Sequence, residues 1–416
     1  MRQVHLVEGG PPVSADVADD AVHRLVDAKV VTAYPLGSGR WELAATARVG
    51  VVQTGDVTVW IQPKLPIARV FFLLGSARRP GWRRDDTVAY DTVSDLVPAL
   101  ARAFVDQADR ALRPGLLQGY QELDDALPVL RGRLRESDQL RVRFGLAVPL
   151  LVRYDDYQAD IPENQILRGA TERLLRLPGI DLSTRQRLRG LRHVLAGVTA
   201  PSPGRPLPAW RPTRLNVRYH DVLWLAELIM AGSSIDHIPG YLRLHGFLVD
   251  MARVFEDFVT AILSTGLARR EGTCRAQDRL ALDEGDRIPM RPDLVWYRCG
   301  TPIAVIDAKY EAEKPSGFPD ADYYQLLAYA TALGLHDAHL VYAKGNEEPR
   351  RFVVRNTAIT IHAHTLDLNT GSDALLGQMD ALQCRIAARV QSLATQSTSR
   401  PGHPPAIGAR TDTGGC

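Results

Sequence analysis

The stretch Arg291-Pro-Asp-Leu-Val-Trp-Tyr-Arg-Cys-Gly-Thr-Pro-Ile-Ala-Val-Ile-Asp-Ala-Lys-Tyr-Glu311 decides the reading of the chain. Two apolar runs, 294–297 and 303–306, flank a Cys-Gly-Thr-Pro turn, the pattern of two short strands joined as a hairpin. With the turn centred on Gly300, antiparallel register sets Asp293 opposite Asp307. Facing Cβ atoms lie about 4.5–5.5 Å apart, and like charges there destabilise the pair. Such a pair calls for something to hold it, and a divalent cation is the natural candidate. Lys309 comes two residues after Asp307 and leaves the same face of the strand. Two carboxylates and one ammonium are therefore expected to converge.

Composition draws further attention to Lys309. Lysine occurs only at 29, 64, 309, 314 and 344, so Arg supplies 45 of the 50 cationic side chains. A compact ammonium whose pKa can move suits water activation or charge neutralisation, where the planar guanidinium of Arg is a poor substitute. The plainer alternative is an Asp307–Lys309 ion pair at a solvated sheet edge.

The chain has 416 residues, of which 45% are hydrophobic and 24% charged. Those proportions fit a soluble globular protein of two or three domains. A net charge of +2 leaves any nucleic-acid binding to local patches. Four widely spaced Cys without a C-x-x-C pair argue against structural zinc and iron–sulfur sites, and suit a reducing compartment. No run reaches the roughly 18 apolar residues of a membrane span, and the N-terminus has no long apolar core. A cytoplasmic protein that does not engage membranes is expected.

The expected fold class is α/β, multi-domain and of the α+β type. Residues 1–90 read as a strand-rich domain, with a hairpin around Thr54-Gly55-Asp56. Arg78, Arg79, Arg83 and Arg84 around Trp82 read there as a solvated basic loop. Residues 91–200 read as helical. In that region Asp155, Asp156, Asp160 and Glu163 precede a helix over 165–176, which is ordinary complementarity to a helix N-terminus. The Pro-rich residues 201–213 read as a linker and domain boundary. Residues 214–370 form the next expected domain, followed by a helix over 371–394 and a disordered tail over 395–416.

In the 214–370 domain, a helix over 250–266 carries an apolar stripe of Phe247, Leu248, Met251, Phe255, Phe258, Val259 and Ile262. Glu256 falls at the border of that stripe, where a partly desolvated carboxylate needs a partner. Beyond the hairpin, a helix over 323–333 sets Gln325 and Tyr329 one turn apart. Strands at 339–342, 351–355 and 359–363 complete an αβββαβ order.

A helix with Glu256, Pro292-Asp293 on one strand, Asp307-Ala308-Lys309 on the next, then Gln325-x-x-x-Tyr329, resembles the PD-(D/E)xK nuclease superfamily. More specifically, the chain resembles McrC, the nuclease subunit of McrBC-type restriction systems. Gly50-Val-Val, Ile61-Gln-Pro-Lys64, Val129-Leu-Arg-Gly132, Asn164-Gln-Ile-Leu167 and Phe255-Glu-Asp-Phe258 share in that likeness. It implies that Asp293, Asp307, the carbonyl of Ala308 and Glu256 hold Mg²⁺, with Mn²⁺ as a substitute. Lys309 would orient or deprotonate the attacking water, Gln325 would fix the DNA strand or the active-site geometry, and Tyr329 would support it. The implied partners are double-stranded DNA and a McrB-like hexameric AAA+ GTPase, docked through residues 1–90 and stimulated by the chain. Two other functions stay open: an inactive assembly or GTPase-activating subunit, and a free-standing RecB-like nuclease.

Overall fold

A computed structural model describes residues 2–78, 95–143, 148–202, 204–232, 245–310, 320–343 and 350–398. The chain opens with β1 (Arg2–Val7), β2 (Val13–Asp16), α1 (Asp19–Asp27), β3 (Val31–Gly37), β4 (Arg40–Ala45), β5 (Arg48–Thr54) and β6 (Val57–Gln62). Next come α2 (Ile67–Arg78), α3 (Leu96–Leu112), β7 (Gly119–Leu127), β8 (Arg133–Leu134), α4 (Glu136–Arg143), β9 (Leu150–Gln158), α5 (Pro162–Arg176), α6 (Leu182–Val194) and α7 (His220–Ala231). After β10 (His245–Asp250) and α8 (Met251–Ala268) come β11 (Thr273–Ala276), β12 (Leu280–Ala281), β13 (Pro289–Met290), β14 (Leu294–Arg298) and β15 (Thr301–Lys309). The order closes with α9 (Asp320–Ala332), β16 (Asp337–Tyr342), β17 (Arg350–Val353), β18 (Thr360–Thr365) and α10 (Ser372–Thr398). No described helix is long and apolar enough to cross a membrane.

These elements fall into two compact units that interleave in sequence. The first takes Met1–Ile67 and Val88–Asp250, the second Ala68–Thr87 and Met251–Cys416. In the first, the sheet order β1-β6-β5-β10 includes the expected hairpin of β5 and β6, with Gly55 at φ +56° in its turn. Beside it lie a ribbon of β2, β4 and β3 and another of β7, β9 and β8. Helices α3, α5, α6 and α7 pack on one another.

Several sequence expectations need correcting here. The strand-rich reading of residues 1–90 misses α2, where all-round burial of Val70, Phe71, Phe72 and Leu73 leaves no period by which to recognise a helix. The region 91–200 holds the two long strands β7 and β9 as well as helices. β7 is largely solvent-facing and rich in acids, so it gives no apolar signal, whereas β9 begins on the apolar residues Leu150, Leu151 and Val152 and turns acidic beyond them. The Pro-rich segment lies inside the first unit, and the unit boundary comes later, at Asp250/Met251. Trp210 Nε1 donates to Glu227 Oε1 at 2.7 Å, and Asn216 Nδ2 donates to Arg211 O at 2.9 Å, so the segment is strapped down. Phe247 and Leu248 lie on β10 rather than on the helix that follows. Residues 395–398, expected in the tail, continue α10; the rest of the tail and the Arg79–Arg84 loop lie outside the described residues.

The second unit is built on a six-stranded sheet, order β11-β14-β15-β16-β18-β17. The β14–β15 and β17–β18 pairs are antiparallel, whereas β15–β16 and β16–β18 are parallel. On one face Leu326, Tyr329 and Ala330 of α9 join Val305, Ala338, Leu340, Tyr342, Ile361 and Ala363 in a core. Helices α8 and α10 contact β15 and each other. The α8 stripe of Met251, Phe255, Phe258, Val259 and Ile262 is buried as its periodicity predicts. From α2, Phe72 packs on Phe258 at 6.0 Å, and Arg69 donates to Thr370 O.

Candidate active site

The β14–β15 hairpin sets the geometry. Its tip is a two-residue turn in which Cys299 (φ +48°) and Gly300 (φ +80°) both take left-handed conformations, as a type I′ turn requires. Arg298 pairs with Thr301 and Tyr297 with Pro302; the ladder then shifts by one residue, so that Trp296 faces Ala304 and Leu294 faces Ile306. The next step of that register lies between Asp293 and Asp307. Both carboxylates are sequestered, at 7% and 2% residual exposure.

Each carboxylate has a distinct environment. Asp293 Oδ2 accepts the Ala308 backbone N–H at 2.8 Å, and Oδ1 accepts Gln277 Nε2 at 2.7 Å. Burial, then the charge of Asp307, push its pKa up to about 7; Glu256 adds to the rise, while the Ala308 N–H and Lys309 oppose it. Asp307 Oδ2 stands 2.7 Å from Lys309 Nζ, yet has no well-aligned hydrogen-bond donor. Desolvation pulls the Lys309 pKa down, but Asp307, Asp293 and Asp322 outweigh it and hold the ammonium above its ordinary value.

The remaining candidates surround this pair. Glu256, half-buried on α8, contributes to the field at Asp293. Gln325 is exposed on α9 and its Nε2 donates to Tyr329 Oη at 2.7 Å. Burial, then the charge of Asp307, raise the pKa of the Tyr329 phenol. Ala308 is fully buried, its N–H committed to Asp293. Asp293, Asp307, Ala308 and Lys309 are thus in direct contact as a group, whereas Glu256 acts on it through charge and the Tyr329 phenol feels the charge of Asp307.

Two further residues belong here that the sequence did not single out. Gln277 reaches Asp293 only because it turns the chain at φ +51° after β11, which no spacing foretells. Asp322 influences Lys309 and accepts from Tyr342 Oη at 3.3 Å. Its signal was legible, an acid three residues before Gln325 on the same helix face.

The donor set suits a hard divalent ion. Asp307 places a buried carboxylate oxygen 2.7 Å from Lys309, beside a second carboxylate whose pKa is raised by burial and then by the Asp307 charge. Among the described residues, however, no three His, Cys, Asp or Glu side chains converge as a ready cage. Backbone carbonyl and water oxygens would have to complete the shell.

Such a fold, with a buried acid pair and a lysine at adjoining strand ends, defines a two-unit α+β protein with a candidate hydrolytic centre. Residues 43–343 match the family described as the McrBC 5-methylcytosine restriction system component, and the chain belongs to that family. The McrC-type resemblance is borne out. A chain of the refined half-complex of Thermococcus gammatolerans McrB AAA+ hexamers with bound McrC is similar in fold. Its TM-score is 0.58 at 19% identity, covering 92% of this chain and 100% of that one. A chain of the cryo-EM structure of the Thermococcus gammatolerans McrBC complex matches at TM-score 0.42 and 20% identity, over 64% and 88% of the two chains. Curated proteins offer no match.

Proposed function

We propose that this chain is the endonuclease subunit of a McrBC-type restriction complex, with a PD-(D/E)xK-type core in its second unit. The observation that carries the reading is the meeting of Asp293, Asp307 and Lys309 at the ends of β14 and β15, in a chain of this family. Asp293, Asp307 and the Ala308 carbonyl would hold Mg²⁺, with Glu256 completing the acidic shell. Bound there, the ion would neutralise charge on the scissile phosphate and lower the pKa of the attacking water.

The chain's own residues have separable tasks. Lys309, held cationic by its acidic neighbours, serves to orient water and to neutralise developing charge rather than to accept a proton. Gln325, anchored by Tyr329, offers its carboxamide to the DNA strand. Gln277 fixes one oxygen of Asp293, leaving its rotamer little freedom. Cleavage would leave a 5′-phosphate and a 3′-hydroxyl.

No Gly-Lys-Ser/Thr occurs in the sequence, so the chain lacks a P-loop engine. The similar solved structure contains McrB AAA+ hexamers with bound McrC. By extension, the N-terminal region would dock on a hexameric AAA+ GTPase that translocates double-stranded DNA. The lack of a three-carboxylate cluster among the described residues favours a second reading, an inactive subunit that only stimulates that GTPase. Plasmid cleavage by the purified chain, with and without the AAA+ partner, GTP and Mg²⁺, separates the readings. Cutting by the full assembly that is lost in Asp307→Asn is expected. GTPase stimulation without cutting would establish the inactive subunit, and efficient cutting by the chain alone a free-standing nuclease.

A further inference from the structure

The sheet of the second unit carries a polar site on the face opposite to Asp307. Strand residues alternate between faces. Val305 lies in the α9-side core and shares its face of β15 with Asp307 and Lys309; Ala338, Leu340, Tyr342, Ile361 and Ala363 belong to the same core. Asp337, His339, His362 and His364 therefore leave the other face. His339 pairs in register with His362, their rings stacked at 5.1 Å and 22°, and the His339 and His364 rings stack at 5.4 Å and 25°. His362 is engaged by Asp337.

A cavity of about 480 Å³ opens on these rings, lined also by Arg351 of β17 and by Arg385, Arg389 and Ser392 of α10. Among the described residues, no carboxylate forms an ion pair with Arg351, Arg385 or Arg389. Desolvation lowers the pKa of Arg385, the mark of a cation partly stripped of water. Asp337, held ionised against burial by its hydrogen bond to His362, also feels the charge of Arg389, so a single buried carboxylate faces several cations around the cavity.

The histidines add a more specific feature. His339 Nδ1 and His364 Nε2 share one hydrogen bond at 3.1 Å. The other nitrogens, His339 Nε2 and His364 Nδ1, are buried without a partner, in residues only 1% and 3% exposed. Burial lowers the pKa of both rings, to about 3 for His364, so each is neutral with one N–H. If His339 donates the shared bond, His364 Nδ1 carries a proton and His339 Nε2 a lone pair; if His364 donates, the roles reverse. Either tautomer leaves one donor and one acceptor.

We propose that this cavity is a binding site for a phosphate group that retains a proton, either inorganic phosphate or the terminal phosphate of a nucleotide or nucleic-acid end. Its anionic oxygens meet the guanidinium forks, which bind phosphate bidentately. Its other oxygens accept from the free imidazole N–H, and its hydroxyl donates to the free imidazole nitrogen. A sulfate dianion has no proton to donate and a backbone phosphodiester no hydroxyl, so neither satisfies the pair.

The test needs neither metal nor cleavage. Inorganic phosphate, sulfate, and matched 5′-phosphorylated and 5′-hydroxyl duplexes are titrated calorimetrically into the full chain and into Arg385→Gln/Arg389→Gln. Arg385 is exposed and Arg389 only half-buried on the cavity side of α10, and equal melting temperatures in phosphate-free buffer verify folding. Phosphate should bind the wild type, sulfate more weakly, and the double variant should lose at least about tenfold in phosphate affinity. A variant-sensitive preference for the phosphorylated duplex assigns the phosphate to a nucleic-acid end, and equal duplex binding assigns it to the free ion; both support the site. No phosphate binding, undiminished binding by the double variant, or equal binding of sulfate would overturn it.

Discussion

Lys309 Nζ lies 2.7 Å from Asp307 Oδ2, and both residues leave the same face of one strand. The contact joins the chain's most sequestered candidate acid to a rare lysine. Asp307→Asn, Asp293→Asn or Lys309→Ala should each abolish DNA cleavage by the assembled complex. Folding and partner binding should stay near wild type, as checked by melting temperature and co-elution.

Lys309→Arg separates charge from chemistry. It keeps a cation but spreads it over a planar group that cannot be deprotonated. Cleavage should fall by at least about tenfold, the scale for disturbing a positioned acid–base or charge-stabilising group. Single-turnover rates measure it, and an Arg variant as fast as wild type would reduce Lys309 to a counter-ion.

Gly50→Ala should be severely destabilising, on the order of 3 kcal/mol. Gly50 sits on β5 at φ +131°, and a Cβ there would fall 2.1 Å from the Phe247 carbonyl oxygen of β10. Neither obstacle yields to a rotamer change. Denaturant unfolding measures the cost.

Acid lability should trace to the buried imidazoles. His364 is held neutral by burial, then by Arg385 and His362, and His339 by burial, then by His364 and His362. Asp337 and Arg389 also act on His339. Their folded-state pKa values lie below the unfolded value near 6.5, so the unfolded chain binds more protons. The stability they contribute is complete above about pH 6.5 and declines as pH falls toward 3. Melting temperatures in phosphate-free buffer should drop through that window, and less steeply in His364→Asn.

Deleting residues 1–90 should do more than remove the proposed docking region. It also removes α2, whose Phe72 and Arg69 serve the second unit. The truncated chain should melt well below wild type, and a calorimetric scan with an unchanged transition would show that α2 is dispensable.

Much of the candidate site was legible because the hairpin is local. Two apolar runs and a Gly turn sufficed to bring Asp293 and Asp307 to adjoining positions, although by a different route from the one assumed. A turn centred on Gly300 was expected; the two-residue turn shifts the register, and the bulge before Ala304 restores it. The quoted stretches also acquire physical reasons. Gly132, at φ +70°, would set a Cβ 2.3 Å from Arg153 O, and buried Asn164 donates to Leu117 O and Ala159 O. Gln277 and the histidine row were beyond reach. One depends on a left-handed residue, and the other on strands 339–342 and 359–363 becoming neighbours across a sheet.

The borrowed helix has a consequence for how the chain is made. Residues 68–78 leave the ribosome well before Met251, where the rest of their unit begins. At about 5–20 residues per second, that gap lasts on the order of ten seconds or more. Throughout it, Val70, Phe71, Phe72 and Leu73 have no native partner surface in their own unit. A nascent chain of this design should depend on holdase chaperones until α8 emerges, and should favour synthesis at low temperature over rapid overexpression.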